Sequence, residues 1–233
     1  MGIESCWKDP EFAKDYALRT NDPKDNWYEQ QINSPSIIKL IPLDTRRILD
    51  FGCGSGEFTA VLAERYDSVE GCDNSQAMVD IARRNHPIVT FSLWDFRSQE
   101  LPPDHIPFDT VVSKLTVQFI RELDLFAAAM RKALRPSGAL IISVPHPSYN
   151  AGLVVDYWQE SNYHPPVSLY GVYDTMVHRS LERYTTAFME HNFVLNGLTE
   201  PKVDREMIEA NGANPHEFSL PKRLNLRFRK EDT

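Results

Sequence analysis

The stretch of sequence that decides the fold is Ile48-Leu49-Asp50-Phe51-Gly52-Cys53-Gly54-Ser55-Gly56-Glu57. In it a short apolar strand runs into a glycine-rich turn, and a helical pattern follows at once. This order of strand, turn and helix is typical of the first unit of a doubly wound α/β sheet, where a nucleotide-containing ligand binds at the helix N-terminus. The stretch therefore predicts both a Rossmann-like fold and a nucleotide site.

The acidic residues around the turn indicate which ligand it binds. A dinucleotide fingerprint has glycine at its sixth position, and here that position is Glu57. Asp50 precedes the turn, so two carboxylates would repel a pyrophosphate at this helix N-terminus. S-adenosylmethionine (SAM) combines an adenosine with an α-ammonium and carries no phosphate. The turn formed by Gly52, Cys53 and Gly54 therefore favours SAM over a nicotinamide cofactor.

The composition sets bounds on size, class and partners. The chain has 233 residues, 42% of them hydrophobic, which is enough for one α/β core. A formal net charge of -8 counts against nucleic acid, which is bound by clustered Lys and Arg. Three cysteines match no metal or disulfide framework, and no apolar run is long enough to span a bilayer. We expect a cytoplasmic monomer or homodimer that takes a small-molecule substrate and has no metal, nucleic-acid or membrane partner.

The sequence pattern divides this single domain into four segments. Residues 1–45 are polar and predict an N-terminal cap, whereas residues 46–144 alternate strands with helices and predict the cofactor-binding core. Residues 145–178 are rich in proline and aromatics and predict a folded substrate lid. Residues 179–233 predict a C-terminal helix and strands. Strands are expected at 47–51, 68–72, 88–93, 109–113, 139–144, 193–199 and 224–229, and helices at 10–19, 34–41, 57–66, 75–85, 121–135 and 180–192.

The end of the second predicted strand carries a carboxylate. Asp73 lies 21 residues beyond Gly52, where a carboxylate can accept hydrogen bonds from both ribose hydroxyls. The alternative role is a helix cap, since Asp73-Asn74-Ser75 precedes a helix. The two roles are compatible, because Asn74 or Ser75 can cap the helix while Asp73 binds the sugar. We count Asn74 with the cofactor site as well.

The end of the third predicted strand offers a second acid and an aromatic ring. Asp95 can accept a hydrogen bond from the exocyclic amine of adenine, and Phe96 can pack on its ring. The alternative is an exposed turn acid beside core aromatics. Met78 lies on the helix that follows the second strand, so it is either a contact of adenine or a core residue.

Taken in this order and spacing, these residues resemble the class I SAM-dependent methyltransferases. The chain is most similar to the small single-domain, type 11-like group that methylates small molecules, often in natural-product pathways. The matching stretches are Ile48 to Gly56 for the first motif, Asp73 for the ribose acid, Asp95 for the adenine acid, Phe108-Asp109 to Ser113 for the fourth strand and Leu134 to Gly138 for the turn before the fifth. We count Ser113 with the cofactor site.

The resemblance implies an architecture and a reaction. The architecture is a seven-stranded sheet, mostly parallel, with the last strand antiparallel and the N-terminal segment folded over the cofactor. The reaction converts SAM to S-adenosylhomocysteine (SAH). Tyr16 is the candidate for closing on the methionine end, because an aromatic face suits a sulfonium cation. The alternative is that Tyr16 packs on the domain as a helix aromatic.

Two features of the sequence depart from this family. Many relatives carry a histidine after the fourth strand, where this chain has Gln118, a residue that can hydrogen-bond a substrate but cannot act as a base. The chain also lacks the Asn/Asp-Pro-Pro-Tyr sequence that marks methylation of amide or base nitrogens in DNA and some proteins. A small-molecule acceptor, methylated at oxygen or nitrogen, remains the leading expectation.

Two histidines are candidates for catalysis, and aromatic residues are candidates for substrate binding. His146 follows the fifth strand between two prolines, where it either contacts the substrate as a base or braces the loop; His178 is the second candidate. In the lid, Tyr157, Trp158 and Tyr170 suggest an apolar or aromatic acceptor, unless these rings form the lid's own small core. The alternatives in function are a C-methyltransferase and a SAM-binding protein of this fold without methyl transfer. A dehydrogenase is disfavoured by Glu57.

Overall fold

The computed structural model of the chain describes residues 6–22, 24, 26–99, 101, 105–149, 152, 154–163 and 175–232. The strands are β1 (Arg47–Phe51), β2 (Ser68–Asp73), β3 (Thr90–Leu93), β4 (Phe108–Lys114), β5 (Leu134–Pro145), β6 (Ser161–Tyr163), β7 (Met176–His178), β8 (Phe193–Thr199) and β9 (Arg223–Lys230). The α-helices are α1 (Pro10–Asn21), α2 (Ser34–Ile38), α3 (Glu57–Ala63), α4 (Gln76–Asn85), α5 (Leu123–Ala133), α6 (Leu181–Met189) and α7 (Arg205–Ala210). A π-helix, Glu29–Asn33, leads into α2.

Seven of the strands form one sheet in the order β3-β2-β1-β4-β5-β9-β8. Strands β1 to β5 are parallel to one another, whereas β9 lies antiparallel between β5 and β8. This arrangement confirms the predicted Rossmann-like class, including the antiparallel last strand. The carboxyl ends of β1, β2, β4 and β5 lie at one edge of the sheet, together with the start of β9.

Several predicted boundaries were wrong, and one has a clear local cause. Helix α5 ends at Ala133 and β5 begins at Leu134, five residues before its predicted start at 139. Pro136 has no backbone N–H and disfavours a helical conformation at Arg135, and Leu134, one residue earlier, already has extended dihedrals, with φ -93° and ψ 142°. The helices predicted at 34–41, 57–66 and 180–192 also end early, at Ile38, Ala63 and Met189.

The prediction missed one short hairpin and two helices. The hairpin of β6 and β7 lies inside the predicted lid, and its strands have only three residues each. Helix α7 lies between β8 and β9, and the π-helix lies in the cap. No helix in the described ranges is long and apolar enough to cross a membrane.

The two faces of the sheet are buried by different helices. Leu49 and Val111 point to the face covered by α5 and α6, where Phe126 and Phe188 complete a large apolar core. Alternation along the strands sends Ile48 to the opposite face, covered by α2 and α3. We call these the α5–α6 face and the α2–α3 face.

Near the carboxyl edge, the α2–α3 face changes from apolar to polar. Lys114, Ser143, Asn225 and Thr199 occupy successive register positions on β4, β5, β9 and β8. The amide of Asn225 donates to Asn33 Oδ1 at 3.1 Å, which fastens the N-terminal helices to this row. The cap is therefore held by hydrogen bonds at this level as well as by apolar contacts.

Helix α1 covers the neighbouring part of the same edge. Ala13 and Ala17 pack on Met78 and Ile81 of α4. The Ser75 hydroxyl, just before α4, donates a hydrogen bond to the backbone carbonyl of Trp7. The N-terminal segment therefore lies over the end of β2, beside the glycine turn.

Candidate functional site

The glycine turn has a backbone that only glycine adopts without strain. Gly52, Gly54 and Gly56 all have positive φ, at 72°, 54° and 89°. At Gly52 an added Cβ would also lie 2.3 Å from atoms of the Thr116 side chain, whose hydroxyl donates to the Gly52 carbonyl at 3.1 Å. The amides of Gly52 and Cys53 both donate to the Cys72 carbonyl, at 2.8 and 2.9 Å. The turn is thus fixed between the ends of β2 and β4.

Asp73 connects the glycine turn to α4. Its Oδ2 accepts from the Gly54 amide at 3.0 Å, and its Oδ1 accepts from the Ser75 amide at 2.9 Å. Burial raises the pKa of this carboxyl, and the backbone hydrogen bonds partly oppose that rise. Each oxygen keeps capacity for a second hydrogen bond. An added Cβ at Gly54 would meet open space, so there is room for a ligand beside the carboxylate.

Asp50 lies beneath the turn and is almost fully buried, with 1% exposure. Its Oδ2 accepts a hydrogen bond from the Thr59 hydroxyl at 2.7 Å. Burial raises the pKa of Asp50 to about 6, although this hydrogen bond and the nearby charge of Lys114 both lower it. The carboxylate is therefore ionised at neutral pH and placed to attract a cation.

At the end of β4, the strand next to the one that carries Asp50, the charge at the edge is positive. Lys114 ends β4, and its Nζ lies 3.7 Å from Oε2 of the buried Glu29. Arg223, at the start of β9, donates from Nε to Glu29 Oε1 at 2.7 Å. None of these three residues was a predicted site residue. The signal in the sequence was a lysine directly after the apolar run of β4, and it is weak, because such lysines commonly lie in solvent.

The predicted adenine acid has a partner already. Arg97 donates to both carboxylate oxygens of Asp95, at 2.9 and 2.7 Å, and these bonds lower the pKa of Asp95. Phe96 packs against Phe51 and Phe126, with ring centroids 5.9 and 5.7 Å away. Its ring thus belongs to the apolar core, as the alternative expectation had it. Contact of either residue with adenine stays a prediction.

The other predicted cofactor residues lie around the same edge. Met78 is buried under α1. Tyr16 packs edge-on against Trp7, with ring centroids 4.8 Å apart. Asn74, directly after Asp73, is exposed. Cys53 lies in the glycine turn, and burial raises the pKa of its thiol well above its usual range. Ser113 is fully buried on the α5–α6 face, and its hydroxyl has no hydrogen-bond partner among the described residues.

Both ring nitrogens of His146 are engaged in hydrogen bonds. Its Nδ1 accepts from the Ser148 amide at 3.1 Å, so the proton resides on Nε2, which donates to Glu200 at 2.7 Å. Neither nitrogen offers an unused lone pair, and this favours the bracing role over the base role. His178 differs, because its Nε2 donates to the Tyr157 carbonyl at 3.0 Å and its Nδ1 has no described partner. That nitrogen is nevertheless sealed from solvent in this arrangement.

Gln118 lies in the short turn that follows β4. Its Nε2 donates to the carbonyl of Leu115 at 2.7 Å, and this contact fixes the orientation of the amide. Leu115 has φ of 54°, a left-handed conformation that costs free energy for a residue with a Cβ. The Gln118 Oε1 atom is buried and has no partner among the described residues. The amide thus supports a strained turn and presents an acceptor atom.

The lid residues lie farther from the glycine turn. Tyr157 and Trp158 line a groove of about 450 Å³ with Leu181 of α6 and Leu195 and Leu198 of β8. Strand β8 is four strands from β1, which corresponds to roughly 19 Å at the usual strand spacing. The predicted substrate residue Tyr170 lies outside the described residues.

The residues present fit a ligand with an adenosine and a zwitterionic tail. Asp73 offers carboxylate oxygens beside open space, as ribose hydroxyls require. Asp50 and Lys114 place opposite charges on the neighbouring strands β1 and β4, as an α-ammonium and an α-carboxylate require. The turn contributes no cationic side chain for a pyrophosphate.

A family model described as "Methyltransferase domain" matches residues 48–138. A curated trans-aconitate 2-methyltransferase from Delftia acidovorans is 33% identical over 47% of this chain and 42% of its own length. A curated ubiquinone biosynthesis O-methyltransferase from Bartonella tribocorum is 27% identical over 49% of this chain and 47% of its own. The matched region thus spans less than half of either relative.

A solved structure resembles nearly the whole chain. It is an S-adenosylmethionine dependent methyltransferase from Mesorhizobium loti, with a TM-score of 0.73 and 26% sequence identity. The similarity covers 89% of this chain and 100% of that one. It therefore extends well beyond the part matched by the family model.

Proposed function

Because the chain belongs to the class I SAM-dependent methyltransferases, we propose that it transfers a methyl group from SAM to an oxygen or nitrogen of a small molecule. The observation that carries this proposal is the joining of Asp73 to the glycine turn through the Gly54 amide. It sets a sugar-binding carboxylate beside a backbone that leaves room for a ligand. SAM, when bound, would supply a methyl carbon that a nucleophile attacks in line with the C–S bond, and the neutral thioether of SAH would be the leaving group.

The protein's own residues contribute position and the exclusion of water. Asp73 orients the ribose, Asp50 attracts the ammonium, and Trp7 and Tyr16 of the cap close the edge above α4. Correct alignment of the two reactants removes much of the entropic barrier to a displacement, so these contacts supply most of the expected catalysis. The names of the curated relatives, which refer to trans-aconitate and to ubiquinone biosynthesis, support a small-molecule acceptor.

The state of His146 favours acceptors that need no strong base. Both of its nitrogens are engaged, and the second candidate, His178, keeps an unused lone pair that is buried. Amines and carboxylates react from forms that are present at neutral pH, whereas carbon acids and most hydroxyls need proton removal. We therefore rank N- or carboxyl O-methylation above C-methylation. The aromatic side chains of Tyr157 and Trp158 in the lid support an acceptor with an apolar part.

The experiment has a binding step and a transfer step. Calorimetric titration should show SAH binding and no binding of NAD. Radiolabelled SAM is then incubated with a panel of amines, phenols and carboxylic acids, and methylated product is separated by chromatography. Absence of SAH binding would overturn the assignment of the cofactor. SAH binding with no product from any class of acceptor would favour the alternative of a SAM-binding protein without methyl transfer.

A further inference from the structure

Lys114 is a largely buried cation whose ion pair with Glu29 is long. It is the last residue of β4, and its side chain is 16% exposed on the α2–α3 face. Its ammonium lies 3.7 Å from Glu29 Oε2, an ion pair that is longer than a normal hydrogen bond. Its nearest aromatic ring is Phe58, 5.1 Å from Nζ to the centroid. The N–H donors of this ammonium thus lie at the edge of the sheet.

Glu29 does not depend on this lysine for its own hydrogen bonds. Its Oε1 accepts from Arg223 Nε at 2.7 Å, and its Oε2 accepts from Asn33 Nδ2 at 2.7 Å. Both oxygens of the buried carboxylate are therefore satisfied by shorter contacts than that of Lys114. The arginine alone balances the charge of Glu29, so the lysine is surplus to the ion pair.

Burial of an ammonium whose ion pair is long is costly unless further hydrogen bonds satisfy its N–H donors, as a ligand at this edge would do. Burial lowers the pKa of Lys114, although the charges of Glu29 and Asp50 raise it again. The donors of Lys114 lie at the same edge as the glycine turn. Asp50 lies on the adjacent strand and the same face of the sheet. The two side chains thus offer one negative and one positive charge at neighbouring points.

We propose that Lys114 binds a carboxylate of a ligand at the ends of β1 and β4. The carboxylate belongs either to the methionine tail of the methyl donor or to the methyl acceptor. Either source rests on the proposed function. In the first case Asp50 and Lys114 hold the two ends of the amino-acid zwitterion. In the second case the lysine selects acidic acceptors and holds the nucleophilic oxygen near the turn.

Two ligands distinguish these sources on the donor side. SAH carries the amino-acid group, whereas 5′-methylthioadenosine keeps the adenosine and thioether without it. Both are titrated calorimetrically into the wild-type protein, Lys114→Met and Lys114→Arg. A donor site predicts that Lys114→Met binds SAH about tenfold or more weakly, with unchanged affinity for methylthioadenosine. Lys114→Arg should keep most of the SAH affinity.

The acceptor side is tested with benzoate and its neutral analogue benzamide on the SAH-saturated protein, followed by ligand-observed NMR. An acceptor site predicts unchanged SAH affinity in Lys114→Met and loss of the preference for benzoate over benzamide. If Lys114→Met alters neither SAH nor benzoate binding, the carboxylate site is refuted. A wild-type protein that binds neither adenosine ligand would overturn the proposed function instead. Benzoate and benzamide titrated into the ligand-free wild-type and Lys114→Met proteins would then decide the lysine's role alone.

Lys222 provides a matched control at the same edge. Its side chain is also 16% exposed, but its Nζ is paired with Glu217 at 3.3 Å and lies 4.0 Å from the centroid of the Phe218 ring. Lys222→Met should leave the binding of SAH and benzoate unchanged. Thermal melting of each variant separates lost binding from lost folding, since Lys114→Arg and Lys222→Met keep the ion pair of Glu29 intact.

Discussion

The carboxyl edge of the sheet has an acidic half and a cationic half. At β1 and β2, Asp50 and Asp73 are held by groups nearby in sequence, the Thr59 hydroxyl and the amides of Gly54 and Ser75. At β4 and β9, the cations gather around Glu29, whose partner Arg223 lies 194 residues along the chain. The acidic half is thus specified locally, whereas the cationic half exists only when the cap and the last strand have met.

Glu29→Gln should give the largest effect on stability. It removes a buried carboxylate that both Arg223 and Lys114 face, and loss of one member of a buried ion pair costs about 3–5 kcal/mol. Urea denaturation measures the free energy of unfolding. The control is Glu70→Gln, which breaks the partly exposed pair with Arg47 and should cost about 0–1 kcal/mol. Equal losses in the two variants would refute a special role for the cationic half.

Gly52→Ala should damage the acidic half without touching a charge. The added Cβ would lie 2.3 Å from Thr116 Cγ2, and the positive φ alone costs roughly 1–2 kcal/mol. Gly54 also has a positive φ, but a Cβ added there would meet open space. The Gly54→Ala protein should therefore melt at a higher temperature than the Gly52→Ala protein. Adding Thr116→Ala to Gly52→Ala should restore part of the lost melting temperature. No recovery would show that the clash is not the cause.

Asp73→Ala should weaken SAH binding about 100-fold, or about 2.7 kcal/mol. The carboxylate is expected to bind the ribose, and its loss also frees the amides of Gly54 and Ser75. Asp95→Ala should weaken SAH binding by less than about tenfold, because the carboxylate oxygens of Asp95 already accept hydrogen bonds from Arg97. Calorimetry checks both values. A larger loss at Asp95 would reverse the ranking of the two acids.

SAH affinity should depend on pH through Asp50. Its pKa in the folded protein is about 6, above that of an ordinary aspartate, so the carboxylate is protonated below this pH. A bound ammonium favours the ionised form, so affinity should fall about tenfold for each pH unit below 6 and level off above it. Asp50→Asn should bind more weakly and show a flat profile between pH 5 and 7. A wild-type profile that is equally flat would exclude Asp50 as the titrating group.

The same shift in pKa has a consequence for stability. The folded protein holds the proton of Asp50 more tightly than the unfolded chain does. The contribution of this group therefore favours folding below pH 4 and is lost as the pH rises to 6.

Thr59→Val removes the hydrogen bond that lowers the pKa of Asp50, so it should move the midpoint of the pH profile of SAH binding above 6. Thr59→Ser, which keeps the hydroxyl, is the control.

His146→Ala should have the smallest effect on catalysis. With both nitrogens engaged, the ring braces the loop after β5, and its loss should lower the melting temperature while kcat changes by less than about tenfold. Single-turnover methyl transfer on an acceptor from the panel measures this. A drop in kcat of about 100-fold or more, with a pH profile that loses one limb, would restore His146 as a base.

The difference between the two halves explains what could be predicted from sequence. The glycine turn, Asp50 and Asp73 depend on short spacings, so their positions at the ends of β1 and β2 followed from pattern alone. Lys114 and Glu29 gain their meaning from a contact between distant segments, and neither stood out. The hairpin of β6 and β7 was missed for another reason, since three-residue strands leave almost no period to detect.

The position of β9 also governs the order in which the molecule can assemble. This strand is synthesised after the other described strands, yet it lies between β5 and β8. Before β9 joins the sheet, β8 has no strand to pair with. Glu29 in the cap also lacks its ion-pair partner, because Arg223 is part of β9. Closure over such long sequence separations is slow compared with local contacts. During synthesis, the acidic half of the edge, at β1 and β2, can therefore form early. The nascent chain completes its ligand site only when β9 has paired with β5 and β8.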